Sequence, residues 1–189
     1  MCGIYGIWNS DGRSLDLRAV QRALRSMRHR GPDDEGYLLV DTRVGRVVLC
    51  GGRSELERST ADAIVAAMRA PPINLVGKDT LKQLPALLQR ADLVMTPDSG
   101  PMHIANAMGT KVLGLHAASN PLRSGPYSDV RYCVDKYDAA ARRFLRKSAG
   151  ELRWGAKIEF DGVMDLVEVE DAVAAFERFR ADSGLFRST

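Results

Sequence analysis

From residue 46 onward, short apolar runs alternate with stretches in which apolar residues recur every three or four positions. Arg46-Val-Val-Leu-Cys50, Ile73-Asn-Leu-Val76, Asp92-Leu-Val-Met-Thr96 and Lys111-Val-Leu-Gly-Leu-His116 predict strands. Helices are predicted from about Ser54 to Met68, stopped by Pro71 and Pro72, and from Thr80 to Arg90, with Leu81, Leu84, Leu87 and Leu88 along one face. A turn at Asp98 opens a third helix that runs to Met108. A last one, from about Glu168 to Arg180, places Val169, Val173, Phe176 and Phe179 on one side. Residues 117–129 read as a Pro/Gly/Ser loop, Arg131-Tyr-Cys-Val134 as one more short strand, and 135–162 carry no single period. Such alternation predicts βαβ units, that is, an α/β, Rossmann-like, mostly parallel sheet of four or five strands flanked by helices.

Upstream the pattern differs. Cys2 to Trp8 alternates like a strand, Leu17, Val20, Leu24 and Met27 recur at helical spacing, and Tyr37-Leu-Leu-Val40 predicts a second strand. This is a strand-helix-strand appendage, and it divides the chain into residues 1–45 and 46–182.

Composition narrows the possibilities. The 189 residues, 45% hydrophobic and 27% charged, suffice for one α/β domain plus a fragment and exclude a disordered chain. No apolar run approaches the roughly 18–20 residues that cross a bilayer, and no basic-then-apolar leader opens the chain, so a cytoplasmic address is expected. Net charge is +3, and the basic residues (21 Arg, 6 Lys) are scattered rather than gathered in a stripe, which argues against a nucleic-acid partner. Cys2, Cys50 and Cys133 are widely spaced, as are the three histidines, so the sequence calls for no metal and no cofactor. Trp8 and Trp154 read as packing residues, and His116 as a buried, hydrogen-bonded histidine at a strand end.

The richest chemistry lies at Asp98-Ser-Gly-Pro-Met-His103. Ligands of an open α/β sheet bind at the carboxyl ends of its strands, and this turn leads from such an end into a helix. Pro101 sits where a missing N–H costs nothing. Gly100 would let an anion approach the backbone, the helix amides and dipole would favour a phosphate or diphosphate, and His103 could add a donor from the first turn. The plainer alternative is that Asp98 or Ser99 caps the helix and His103 packs against a neighbour.

Residues from about 46 to 180 resemble the C-terminal, donor-binding domain of the family 9 glycosyltransferases, the ADP-heptose:lipopolysaccharide heptosyltransferases. The resemblance rests on stretches in order: Val-Leu-Cys-Gly-Gly at 48–52, Ile-Asn-Leu-Val-Gly-Lys at 73–78, and Leu-Pro-Ala-Leu-Leu-Gln-Arg-Ala-Asp-Leu-Val at 84–94. Pro-Asp-Ser-Gly-Pro-Met-His-Ile-Ala-Asn-Ala at 97–107, Gly-Thr-Lys-Val-Leu-Gly-Leu at 109–115 and Asn-Pro-Leu-Arg-Ser-Gly-Pro-Tyr at 120–127 complete it. It implies that Asp98, Ser99, Gly100 and His103 hold the diphosphate of a nucleotide sugar of the ADP-heptose kind. It also implies that Glu55, with Glu57 as rival, and Gly77 and Lys78 line the base and ribose. The family's acceptor-binding half, with its carboxylate base, and the first strand and phosphate-facing loop of the donor half have no counterpart in this sequence. The expected partners are therefore the nucleotide sugar and either a chain supplying the acceptor half or a second copy of this one, in lipopolysaccharide biosynthesis.

Met-Cys-Gly-Ile-Tyr-Gly-Ile at 1–7 and His-Arg-Gly-Pro-Asp-Asp-Glu-Gly at 29–36 resemble the start of class II glutamine amidotransferases of the asparagine synthetase type. That resemblance would make Cys2 a nucleophile for glutamine hydrolysis once Met1 is removed, although the segments that clamp glutamine and form the oxyanion hole have no counterpart. Three functions are thus carried forward: nucleotide-sugar binding, glutamine hydrolysis, and a non-catalytic fusion of two truncated domains.

Overall fold

The computed structural model describes residues 46–183 except 79 and 81, together with the strand residues 3–4 and 35–40. The chain runs β1 (Gly3–Ile4), β2 (Glu35–Val40), β3 (Arg46–Leu49), α1 (Glu55–Ala67), β4 (Ile73–Asn74), α2 (Gln83–Gln89), β5 (Leu93–Pro97), α3 (Gly100–Ala107) and β6 (Lys111–His116). There follow α4 (Pro121–Ser124), a 3-10 turn at Val130–Tyr132, β7 (Val134–Asp135), α5 (Tyr137–Ala140) continued by a π turn at Ala141–Leu145, 3-10 turns at Ala149–Glu151 and Met164–Leu166, and α6 (Val169–Ser183).

Period-two alternation builds two cores from one sheet. Val47 and Leu49 of β3, Leu93 and Met95 of β5, and Leu113 and Leu115 of β6 pack on one face against Ala61 and Ile64 of α1 and Phe176 and Phe179 of α6. The residues between them, Val48, Cys50, Val94 and Val112, meet Leu88 of α2 and Met102 and Ala105 of α3 on the other. A strand covered on both sides is buried at every position, as β5 is, and its one polar residue, Thr96, is hydrogen-bonded to Ser99. α1 starts where Ser54 and Glu57 exchange bonds: the Ser54 hydroxyl accepts from the Glu57 N–H at 3.2 Å, and the Glu57 carboxylate accepts from the Ser54 N–H at 3.2 Å.

The strands are ordered β4-β3-β2-β5-β6-β7, with β1 beside β2. β3/β4, β5/β6 and β6/β7 are parallel pairs, whereas β2 lies antiparallel to both β3 and β5. The appendage is thus part of the sheet: β2 occupies the central position between β3 and β5, and the sheet has seven strands rather than four or five. The physical reason is the ladder. β3 and β5 each present an inner edge of N–H and C=O groups that must be paired, and a strand running in either direction satisfies them.

Other boundaries moved less. The expected strand at 131–134 is a 3-10 turn followed by the two residues of β7, and α4 interrupts the expected 117–129 loop. α2 begins at Gln83 because Thr80 forms a turn first, its N–H and hydroxyl both donating to Gln83 Oε1. Trp154 is 69% exposed and so is no packing residue. The stretch 135–167 forms a third small core at the end of β6, where Tyr137, Ala140, Ala141, Ile158 and Val163 close over Ala117 and Ala118. Most of the first expected strand, including Cys2, the helix at residues 17–27 and the motif at residues 29–34 lie outside the described residues.

Candidate functional site

The loops that follow β3, β4, β5 and β6 lie at one end of the sheet. At its centre, β5 delivers Asp98 and Ser99 to the start of α3. Ser99 is the N-cap residue of α3, yet its hydroxyl makes no capping bond. It pairs instead with the buried Thr96 hydroxyl at 2.8 Å. The cap position therefore supplies no side-chain acceptor to the amides of the first turn, and the positive end of the helix is left for an outside acceptor. Gly100 is exposed, and a side chain built there would meet no heavy atom within 4 Å.

Asp98 is held on several sides. Its Oδ2 accepts from the Ser124 hydroxyl at 2.7 Å, and its Oδ1 lies 3.5 Å from His103 Nε2. Burial pushes the Asp98 carboxyl up, but the Ser124 and Ser119 hydroxyls with the His116 and His103 rings outweigh it and hold the pKa below its ordinary value. Asp98 is accordingly an anion that orients its neighbours. His103 is exposed at the helix start, so the structure brings Asp98, Ser99, Gly100 and His103 together as the sequence suggested.

His116 is buried at the end of β6, with Nδ1 3.2 Å from the Ser119 hydroxyl. Its Nε2 is buried without a hydrogen-bond partner. That nitrogen sits against Gly114, where an added Cβ would lie 2.8 Å from Nε2 and 2.9 Å from Cys133 Sγ. Burial pushes the imidazole below its ordinary pKa, partly offset by Asp98 and Asp135. The Cys133 thiol is pushed up to about 12, chiefly by burial, and is no nucleophile.

The residues expected at the base and ribose form a second group. Gly77, at φ +73°, donates to Gly51 O at 3.0 Å and packs on Gly52, so the turns after β3 and β4 meet. Lys78 Nζ donates to Asn74 O at 2.9 Å on the surface. Glu55 is exposed, whereas Glu57 is buried and spends its carboxylate on Gly52 N at 2.8 Å and the Ser54 hydroxyl at 2.5 Å. β3 and β5 are separated by β2, so this group stands two to three strand spacings, roughly 10–15 Å, from Asp98 along the sheet.

A small, open depression adjoins Asp98, lined by Pro97, Met164, Ser119, Lys157 and Glu159. Sequence reading passed over the last two, because 135–162 carry no clear period and nothing local ties them to Asp98.

A doubly wound α/β sheet with an uncapped helix start at its central crossover defines a domain of the kind that carries ligands at its strand ends. Comparison with known proteins makes this specific. The chain belongs to glycosyltransferase family 9, the heptosyltransferases, whose family model matches residues 39–151. The lipopolysaccharide core heptosyltransferase OpsX of Haemophilus influenzae is 37% identical over 140 residues, covering 74% of this chain and 39% of that protein. Lipopolysaccharide heptosyltransferase 3 of Escherichia coli K12 is 29% identical over 178 residues, 93% of this chain and 43% of that one. The crystal structure of a family 9 glycosyl transferase from Veillonella parvula superposes with a TM-score of 0.54 at 20% identity over 96% of this chain and 45% of the other, a likeness of fold.

The chain thus spans about two fifths of the length of these relatives. The amidotransferase resemblance gains no support from them, and the alignment to heptosyltransferase 3 takes in most of residues 1–45 as well. Among the described residues, no helix is long and apolar enough to cross a membrane.

Proposed function

We propose that this chain binds a nucleotide sugar in the cytoplasm, as the donor half of a heptosyltransferase, with residues 46–182 as the donor domain and 1–45 joined to it through β2. The observation that carries the reading is the uncapped start of α3: Ser99 turns its hydroxyl to Thr96, and the space beside the exposed Gly100 Cα is open. There the diphosphate accepts from backbone amides and from the His103 ring, in the positive field of the helix end. Asp98, itself anionic, serves the diphosphate indirectly by orienting His103 and by holding α4 through Ser124. Gly77 with the Gly51-Gly52 turn borders the base, and Glu55 and Lys78 stand at its rim.

Transfer requires an acceptor hydroxyl, and a base to activate it, held against the donor carbon. Those groups would come from an acceptor-binding half, on a partner chain or a second copy. The family name points to heptose as the sugar, and an ADP-heptose donor follows from the sequence resemblance. Calorimetry with ADP, UDP and their sugars tests the reading: adenine-nucleotide binding that is lost in Asp98→Ala and Gly100→Val supports it. An absence of heat with every nucleotide refutes it.

A further inference from the structure

Among the described residues, His116 Nε2 is the buried side-chain nitrogen or oxygen left without a hydrogen-bond partner. A stranded polar atom in a packed core calls for a reason. Residues of a strand alternate in face, so Gly114 and His116 share the side of β6 on which Val112 meets Met102 and Ala105 of α3. The ring lies back over Gly114, where a Cβ would stand 2.8 Å from Nε2 and 3.1 Å from Cδ2. With that edge laid on bare backbone, Nδ1 is turned to the Ser119 hydroxyl at 3.2 Å.

A partner at Nδ1 and none at Nε2 put the single proton of the neutral ring on Nδ1. The Ser119 oxygen accepts it, and the Ser119 proton goes to the Asp98 carboxylate, which as an anion can only accept. Asp98 in turn lies 3.5 Å from His103 Nε2 and accepts from the Ser124 hydroxyl at 2.7 Å on its other oxygen. One directed chain of donors thus runs from the end of β6 to the start of α3.

We propose that His116 is a positioning residue of this site: as the Nδ1–H tautomer it holds Ser119 in the orientation that bonds Asp98, and through Asp98 it sets His103 and α4. The inference rests on the donor-site reading for what is bound there, whereas the chain of donors stands on its own geometry. The opposite tautomer, with Nδ1 bare, would draw the Ser119 proton to the ring and away from Asp98. An acceptor at Nε2 would permit that tautomer, and the lack of one excludes it. Protonation of both nitrogens is excluded for the same reason, since it leaves a buried N–H unpaired. The titratable groups facing the ring are Asp98 at the end of β5, Asp135 of β7 with Cys133 before it, and His103 of α3. Burial lowers the pKa of the ring, and the two carboxylates offset only part of that.

Imidazole nitrogen-15 NMR of the full chain at neutral pH reads the tautomer, and titration of the Asp98 carboxyl carbon reads its pKa. Both are recorded, with calorimetry against ADP, for the native chain, His116→Phe, Ser119→Ala, the double variant, and His116→Asn, whose amide nitrogen reaches the place of Nδ1. His116 is expected as the Nδ1–H form, and the Asp98 pKa is expected to rise in His116→Phe and in Ser119→Ala. Each of these two should weaken ADP about three- to tenfold, the worth of one neutral hydrogen bond. The double variant should bind no worse than either alone, and His116→Asn should return to within about twofold of the native affinity. An Nε2–H or doubly protonated ring overturns the proposal whatever the site binds. So do an Asp98 pKa unmoved in His116→Phe, losses that multiply in the double variant, or an Asn variant as weak as the Phe one, which are the results a merely structural ring would give. Unchanged ADP affinity in both single variants overturns the positioning role and leaves the donor site standing. No ADP binding by the native chain overturns the donor-site reading, and the tautomer and the Asp98 pKa then decide the chain of donors by themselves. Circular dichroism checks the fold of each variant; should His116→Phe not fold, Ser119→Ala and the native tautomer carry the test.

Discussion

Gly100 is the position at which fold and function are expected to respond with opposite signs. The residue opens α3 with no positive φ, and a Cβ added there would meet nothing within 4 Å. Replacing it by Ala therefore leaves the folded state unstrained and removes conformational freedom from the unfolded chain. At a compatible site this stabilises by roughly 0.4–1 kcal/mol, and the low end, about 0.5 kcal/mol, suits the first turn of a helix. For a chain of this length that raises Tm by about 1–2 °C. Nucleotide binding should move the other way, because a side chain there would fill the open space at the α3 start where the diphosphate is proposed to lie. A backbone bond to a charged oxygen is worth about 1.5–3 kcal/mol, so blocking it costs roughly tenfold to a hundredfold in Kd. Ala should produce the smaller loss and Val the larger, as the branched side chain covers more of the amide. Differential scanning calorimetry and isothermal titration with ADP on the native, Ala and Val proteins measure both quantities. An Ala variant that melts several degrees lower would refute the geometry of the turn. Native affinity in the Val variant would refute the placement of the diphosphate.

Three further outcomes concern stability. Glu57→Ala removes the acceptor for Gly52 N, Ser54 N and the Ser54 hydroxyl at once and should cost about 2 kcal/mol in urea unfolding, a cap plus the packing of a buried side chain. Glu55→Ala, at an exposed site, should stay within about 0.5 kcal/mol. Gly114→Ala pushes a methyl to 2.8 Å from His116 Nε2 and 2.9 Å from Cys133 Sγ, an overpacking worth about 1–3 kcal/mol by the same assay. A neutral result would show that the His116 ring is not seated there.

The fourth concerns pH. Burial holds the folded His116 pKa below its ordinary 6.5, so between the two values the unfolded chain binds a proton that the folded chain does not, and stability falls as pH drops below about 6.5. Asp98, held below its ordinary 3.8, contributes stability above that value that is lost as pH falls through its folded pKa. Unfolding from pH 8 to 3 should show both losses in the native protein and only the acidic one in His116→Phe. Identical slopes near pH 6 in the two proteins would remove His116 from the account.

Much of this molecule is legible along the chain. The apolar run between Lys111 and His116 places β6 to the residue, because a strand covered on both faces is continuously apolar inside and polar residues mark its ends. The Ser54 and Glu57 spacing announces the start of α1, and the turn at Asp98 announces the α3 site, because capping and helix-end electrostatics act within four residues. Period, turn chemistry and caps are local, so a one-dimensional text carries them.

Other features depend on groups that meet only after folding. The place of β2 in the sheet follows from the unpaired edges of β3 and β5, more than forty positions of chain apart, and nothing within Glu35–Val40 states it. Between Glu55 and Glu57 the choice of buried acid depends on where the Gly52 amide points once β3 is paired. Lys157 and Glu159 join Asp98 through the bond from Ile158 to Ala118, across a segment of short turns with no common period. Backbone pairing and burial are decided by whichever partners leave the fewest polar groups stranded, and that is a property of the whole packed chain. Local sequence therefore specifies the uncapped start of α3, and long-range packing brings the residues beside it.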